Sequence, residues 1–218
     1  MVNLLNLLVK THDPLCFANL QDLINKVCLS IAFLSKTFPL PHDSRDDLKS
    51  IFPALMIQLK ATNSDLELKE KAVSSVSVYL NYLGDRLPQP DLKECLNVLL
   101  SRLKNESTRL VTVRAINKIC TAQLNIDLTD FLKETVVELS NCLNKRDRIL
   151  RIAALRCLTA ICEHFPPIVL QNACLGTILT CLPQLISDHD LQTSQDTRAP
   201  IVNRYLNILV LGELGRRM

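Results

Sequence analysis

The strongest constraint on the fold is a junction that recurs along the sequence at nearly constant spacing. At each junction a leucine ends one apolar helical pattern, a short polar turn follows, and a second, more apolar pattern begins. The four leucines are Leu59, Leu103, Leu143 and Leu185, which lie 44, 40 and 42 residues apart. A period of about 42 residues with two helices per unit is typical of HEAT and armadillo arrays. The sequence therefore predicts an all-α fold, an α–α superhelix of the HEAT/armadillo solenoid type.

Helical spacing of apolar residues places the predicted helices within these units. One or two helices precede residue 38, and the others lie near 45–60, 64–83, 91–104, 108–121, 129–143, 148–165, 171–187 and 202–215. Short connections make consecutive helices antiparallel neighbours. We predict a single array over 1–218, with approximate units 1–40 (partial), 45–86, 91–123, 129–165, 168–196 (cut short) and a terminal helix in 200–218.

Two of these helices carry more specific expectations. After Leu59, Ser64 and Glu67 form a capping-box pattern, and Gly84 is predicted to end the helix in the left-handed conformation. The predicted buried stripe of this helix is Leu66, Val73, Val76, Leu80 and Leu83. The helix after Leu143 is apolar almost all round, which predicts that it lines the core of its repeat. Its apolar residues are Ile149, Leu150, Ile152, Ala153, Ala154, Leu155, Leu158 and Ile161.

Composition and charge exclude several classes of protein. Four glycines and the lack of Asn-Gly or Asp-Gly turns argue against an all-β fold. The net charge of +3, from 25 basic and 22 acidic residues, is far from the concentrated positive charge of a nucleic-acid binder, so we expect no nucleic-acid partner. Between Glu163 and Asp188 there is no Asp, Glu, Lys or Arg, but three prolines interrupt the segment. We therefore expect no membrane span.

Nine cysteines raise the question of metal sites and disulfides. No two of them form a C-x-x-C pair, and the four histidines are scattered rather than grouped at ligand spacing. We therefore expect reduced, buried thiols, with no metal and no cofactor. Such cysteines are typical of a cytoplasmic or nuclear protein.

The sequence gives no support for an enzyme. The motifs of phosphate-binding loops, zinc hydrolases and esterases do not occur. Cys162 and His164 could be offered as a thiolate and its base, but residues two apart on a helix point to different sides. The favoured interpretation is a buried thiol beside a surface imidazole.

The densest basic cluster stands at the turn that follows Leu143. Its residues Lys145, Arg146, Arg148 and Arg151 form the candidate site for contact with an acidic partner surface or phosphates. The alternative, which we favour, is a solvated turn in which Asp147 pairs with Arg151 on one helix face.

Four stretches of the chain resemble the sequence of a known protein family. The longest is residues 100–110 (LSRLKNESTRL), followed by VRA at 113–115. The others are residues 68–72 (LKEKA), 126–128 (IDL), and 183–188 (PQLISD) with SQ at 194–195. Together they resemble the middle HEAT repeats of the cullin-associated, neddylation-dissociated protein family, and the resemblance runs from about residue 51 to 195.

This resemblance implies a scaffold without catalytic residues that regulates cullin-RING ubiquitin ligases. Such a scaffold binds an unneddylated cullin and its RING subunit and aids exchange of substrate receptors. Residues 209–215 (LVLGELG) resemble a segment several repeats further along in the family, so we expect a fragment or shortened isoform with a partial version of this activity. Periodicity alone is equally consistent with a generic HEAT-repeat adaptor in a transport or chromatin complex. We also expect residues 197–218 to be the least stable part, because no further repeat covers the last helix.

Overall fold

The computed structural model describes residues 52–62, 65–122, 126–171 and 175–180. No strand occurs in these ranges, and the all-α prediction is confirmed. The helices are α1 (Phe52–Lys60), α2 (Leu66–Leu83), α3 (Gln89–Lys104), α4 (Arg109–Cys120), α5 (Thr129–Leu143), α6 (Arg148–His164) and α7 (Pro166–Leu170), and residues 175–180 are also helical. The predicted helices before residue 38 and at 202–215, the junction at Leu185 and the segment 197–218 lie outside the described residues.

Contacts divide the chain into two compact units, one that ends at Ile126 and one that begins at Asp127. In the first unit α1 packs against α2 and α3 against α4, while α2 also packs against α4 and α1 against α3. Two layers of helices result, one of α1 and α3 and the other of α2 and α4. In the second unit α5 packs against α6, and α7 contacts both. The finer repeat boundaries derived from the sequence stay a prediction.

The core of the first unit follows the predicted stripe except at its start. Val73, Val76, Leu80 and Leu83 are all buried, with exposed fractions between 0% and 3%. Leu66 is 45% exposed, so its predicted burial is wrong. It is the first residue of α2, where the helix has only begun and has little packed against it.

Both predicted end signals of α2 are also wrong. The residue that caps the helix is Asp65, whose carboxylate accepts from the Leu66 N–H at 2.6 Å, and Ser64 lies outside the described residues. Glu67 instead pairs with Lys71 at 2.7 Å, which lowers the pKa of the Glu67 carboxyl through a hydrogen bond and the Lys71 charge.

At the other end of α2, Gly84 is right-handed, with φ −61° and ψ −31°, and it begins a 3₁₀ turn, Gly84–Arg86. A glycine suits this position because another side chain comes close to it, and not because the backbone is left-handed. A Cβ on Gly84 would lie 2.5 Å from Cδ1 of Ile126.

A buried arginine joins the two helix pairs of the first unit. Arg102, in the last turn of α3, is only 9% exposed. Its Nε and Nη2 donate to the carbonyl oxygen of Leu59 at 3.1 and 2.7 Å, and Nη2 also donates to that of Ala61 at 2.7 Å. These carbonyls lie at the C-terminal end of α1, where a helix has carbonyl groups without internal partners and a partial negative charge. A surface ion pair between Lys60 and Glu94, at 2.6 Å, adds a second polar link between α1 and α3.

Candidate functional site

The basic residues predicted at the third junction lie together in the second unit, in the turn between α5 and α6 and in the first turn of α6. We call residues 145–151 the basic turn. Lys145, Arg146 and Arg148 are exposed, while Arg151 is half-buried. The turn is short: α5 ends at Leu143, and α6 begins at Arg148.

Asp147 holds the start of α6 in place. One of its carboxylate oxygens accepts from the backbone N–H of Ile149 at 2.9 Å and of Leu150 at 3.2 Å. Its own carbonyl accepts from the N–H of Arg151 at 3.0 Å. The carboxylate therefore serves two of the amides that a helix leaves without internal partners at its N-terminus.

Arg151 folds back over the turn. Its Nη1 donates to the carbonyl oxygens of Lys145 at 3.2 Å and Arg146 at 3.3 Å. The predicted Asp147–Arg151 ion pair stays a prediction, and backbone groups of the turn are hydrogen-bond partners of both side chains. Arg151 thus stabilises the turn. Contact with a partner stays a prediction for Lys145, Arg146, Arg148 and Arg151.

The same arrangement occurs at the α3–α4 turn of the first unit. Arg109, the first residue of α4, donates from Nε to the Leu103 carbonyl at 3.2 Å and from Nη2 to the Lys104 carbonyl at 3.0 Å. An arginine early in the second helix therefore binds backbone carbonyls that precede this helix in both places, at the end of the first helix for Arg109 and within the turn for Arg151. This shared contact gives Arg109 and Arg151 a structural role in their turns.

Replacing Asp147 with alanine should destabilise the second unit by about 1 kcal/mol, because the Ile149 and Leu150 amides lose their acceptor. Asp147→Asn is the matched control, since asparagine is also a good helix cap. Chemical denaturation of the three proteins measures the difference. Equal stability of Asp147→Ala and the unaltered chain would show that the cap contributes nothing.

One apolar residue of the basic turn was predicted to be buried but is exposed. Ile149, predicted to belong to the core, is 55% exposed, while Leu150, Ile152 and Leu155 of the same helix are 8% exposed or less. The sequence does hold a signal for the exposure of Ile149. Asp147 as a cap makes Ile149 the second residue of α6, one position before the first buried residue.

Cys162 and His164 lie in different surroundings. The Cys162 thiol is buried, and burial together with the Glu163 charge raises its pKa to about 12. His164 is the last residue of α6 and is exposed. At neutral pH the thiol is protonated and inaccessible, which is the opposite of what a nucleophilic cysteine requires.

The five described cysteines, Cys162 included, support the prediction of reduced thiols. Cys95, Cys120, Cys142, Cys157 and Cys162 are all free and buried, and burial also raises the pKa of Cys95 and Cys120 to about 12. These five thiols should react with a thiol reagent at about pH 8 only after the chain is unfolded. Mass spectrometry of the labelled native and denatured chain measures this. Rapid native labelling of Cys120 would contradict the packing of α4.

A second candidate site is an open groove of about 540 Å³ in the second unit. Lys133 of α5, His164 at the end of α6, and Phe165 and Ile168 line it. Its size is that of a ligand site, but the Lys133 ammonium already lies 3.4 Å from the Asp130 carboxylate. The basic turn, with several exposed cations, is the stronger candidate.

Among the described residues, no three His, Cys, Asp or Glu side chains are grouped so that they could hold a metal ion. None of the described helices combines the length and the apolar character needed to cross a membrane.

The chain is similar in sequence to a set of named proteins. It is 35% identical over 167 residues to Cullin-associated NEDD8-dissociated protein 1 of Dictyostelium discoideum, and 34% identical over 149 residues to the protein of the same name in Arabidopsis thaliana. It is 39% identical over 142 residues to Cullin-associated NEDD8-dissociated protein 2 of Mus musculus. These matches cover 77%, 68% and 65% of the chain, but only 13%, 12% and 11% of the respective relatives. No family model matches the chain.

Solved structures bear on the fold alone. Two engineered proteins with crystal structures from the Northeast Structural Genomics Consortium align with TM-scores of 0.61 and 0.60 at 15% and 14% identity. Each alignment covers 94% of this chain, and 78% and 47% of the respective engineered chains. The predicted α–α solenoid class is confirmed by this likeness together with the paired helices.

Proposed function

The chain is a relative of the cullin-associated NEDD8-dissociated proteins, and on this basis we propose that it is a protein-interaction scaffold that binds an unneddylated cullin with its RING subunit. The observation that carries the proposal is the 33–39% identity to relatives whose names state association with cullins.

The architecture supports a scaffold. Paired helices in each unit leave one side of every helix exposed, and helical repeats use such surfaces to bind other proteins. The chemistry of the described residues also favours a scaffold. Cys162, the described cysteine nearest in sequence to a histidine, has a buried thiol, and burial raises its pKa to about 12. We therefore propose that the chain acts by binding rather than by catalysis.

The short extent of the match limits the activity that we propose for this chain. The chain spans about an eighth of the length of the relatives named above. We propose that it contributes to the exchange of substrate receptors on cullin-RING ligases only in part, through its contact with the cullin. The buried free thiols are compatible with the cytoplasm and nucleus, where we propose that it acts.

Pull-down with purified components tests the proposal. The full chain, immobilised by a terminal tag, should retain an unneddylated cullin–RING complex and should retain the neddylated complex less. Failure to retain either form would favour the alternative function, a HEAT-repeat adaptor for a transport or chromatin complex. A second assay measures the release of a substrate-receptor module from the captured cullin, and partial activity is the expected result.

A further inference from the structure

The charged residues of α4, in the first unit, are all basic. The helix holds Arg109, Arg114 and Lys118, and it has no Asp or Glu. Arg109 has a structural role, since it donates to the Leu103 and Lys104 carbonyls of the preceding helix. The other two side chains are exposed, and residues four apart lie on the same face of a helix. We call Arg114 and Lys118 the basic pair.

The first unit provides no acidic partner for the basic pair. Among the described residues, neither Arg114 nor Lys118 makes an ion pair or a side-chain hydrogen bond. The helix packed against α4 is α2, which has two acidic residues in its first half. Glu67 pairs with Lys71 of its own helix at 2.7 Å, and no ion pair joins Glu70 to α4. The positive charge of this face is therefore not neutralised locally.

Two other described helices arrange their surface charges differently. Lys71 of α2 lies one turn from its partner Glu67, and Lys133 of α5 lies one turn from its partner Asp130. Such pairs stabilise a helix slightly, whereas two like charges four residues apart destabilise it by a similar amount. The basic pair therefore opposes the stability of α4. A local arrangement of this kind is expected where a surface serves binding.

Apolar side chains lie beside the basic pair on a firmly packed helix. Leu110 and Val111, four and three residues before Arg114, share its face and are half-buried. On the opposite face, Val113 and Ile116 are buried with exposed fractions of 0%. A surface that is already ordered loses little conformational entropy when it binds.

We propose that this face of α4 docks an acidic patch on the surface of the partner protein. Arg114 and Lys118 face carboxylates of the partner, and Leu110 and Val111 contact apolar side chains at the edge of its patch. Charge complementarity determines this choice, because a guanidinium and an ammonium without local partners form charge-assisted hydrogen bonds with carboxylates. The proposal deepens the proposed function and rests on it for the identity of the partner.

A single charge reversal tests the proposal. In the full chain, Arg114→Glu should weaken binding of the purified unneddylated cullin–RING complex about fivefold, because an attraction becomes a repulsion. The same change places a glutamate four residues before Lys118, which is the favourable order for an ion pair on a helix. The melting temperature should therefore be unchanged or slightly raised. Weaker binding without a loss of stability separates docking from damage to the fold.

A double variant and a matched control exclude a general effect of charge. Arg114→Glu with Lys118→Glu should weaken binding at least about tenfold, since both attractions are reversed. The control is Lys93→Glu with Lys104→Glu, which makes the same charge change at two exposed lysines of α3, in the other layer of the unit. We expect the control to bind within about twofold of the unaltered chain, as substitutions outside an interface contribute little.

Salt dependence provides an independent measurement. Raising the salt concentration from about 50 mM to about 300 mM should weaken binding of the unaltered chain more than binding of the double variant, because salt screens the attraction between exposed charges. An equal effect of salt on both proteins would show that the basic pair makes no electrostatic contact with the partner.

The outcomes distinguish the two proposals. Equal binding by the α4 variants and the unaltered chain would overturn the docking proposal and leave the proposed function intact. Equal weakening by the double variant and the α3 control would also overturn the docking proposal, because the effect would then be one of net charge. No binding of the cullin complex by the unaltered chain would overturn both.

Discussion

Replacing Leu155 with aspartate should lower the free energy of unfolding by about 4 kcal/mol, because it buries a carboxylate without a partner. Leu155 is only 2% exposed, in the middle of α6, in the core of the second unit. Val76 of α2 occupies the equivalent situation in the first unit, with an exposed fraction of 0%, and Val76→Asp should behave alike. Chemical denaturation followed by circular dichroism measures both.

Ile149→Asp is the matched control for the Leu155 variant. It introduces the same charged side chain on the same helix, at a residue that is 55% exposed. Its effect should lie within about 0.5 kcal/mol of zero, as for other surface substitutions. An unchanged melting curve for Leu155→Asp would show that the buried face of α6 is assigned incorrectly.

The second large effect is expected at Arg102. Arg102→Met keeps an apolar chain of similar length but removes the donors to the Leu59 and Ala61 carbonyls. Leaving these oxygens without partners near the core should destabilise the first unit by about 2–3 kcal/mol. Amide hydrogen exchange should also become faster in the last turn of α1, where the two helix pairs meet.

Two companion variants separate the role of the hydrogen bonds from that of charge. Arg102→Lys keeps the charge and restores one donor group, so it should recover only part of the lost stability. Arg114→Met removes an exposed arginine from α4 of the same unit and should cost less than about 0.5 kcal/mol. Equal stability of Arg102→Met and Arg114→Met would show that the contact with α1 does not stabilise the unit.

The repeat pattern predicted the helices well because apolar spacing and polar turns act locally. The predicted helix at 129–143 agrees with α5, and 148–165 differs from α6 by one residue. Several errors lie at helix ends, where a single hydrogen bond decides the geometry. Asp65 rather than Ser64 caps α2, and Gly84 is right-handed, with Cδ1 of Ile126 only 2.5 Å from the place a Cβ would occupy.

The candidate site could be located from the sequence, but the roles of its residues could not. A count of basic residues cannot show that Arg151 binds the carbonyls of the turn while Lys145 and Arg146 stay exposed. Arg102 was missed because its partners lie 41 and 43 residues away along the chain. The one clue was its position three residues after the buried Leu99, on an otherwise apolar face.

Calorimetric titration of the full chain with a purified cullin–RING complex, unneddylated in one experiment and neddylated in the other, tests the proposed scaffold most directly. We expect the unneddylated complex to bind at least about tenfold more tightly, a difference of about 1.4 kcal/mol in binding free energy. Equal affinity for the two forms, or no heat of binding with either, would contradict a role in recognising the unneddylated cullin.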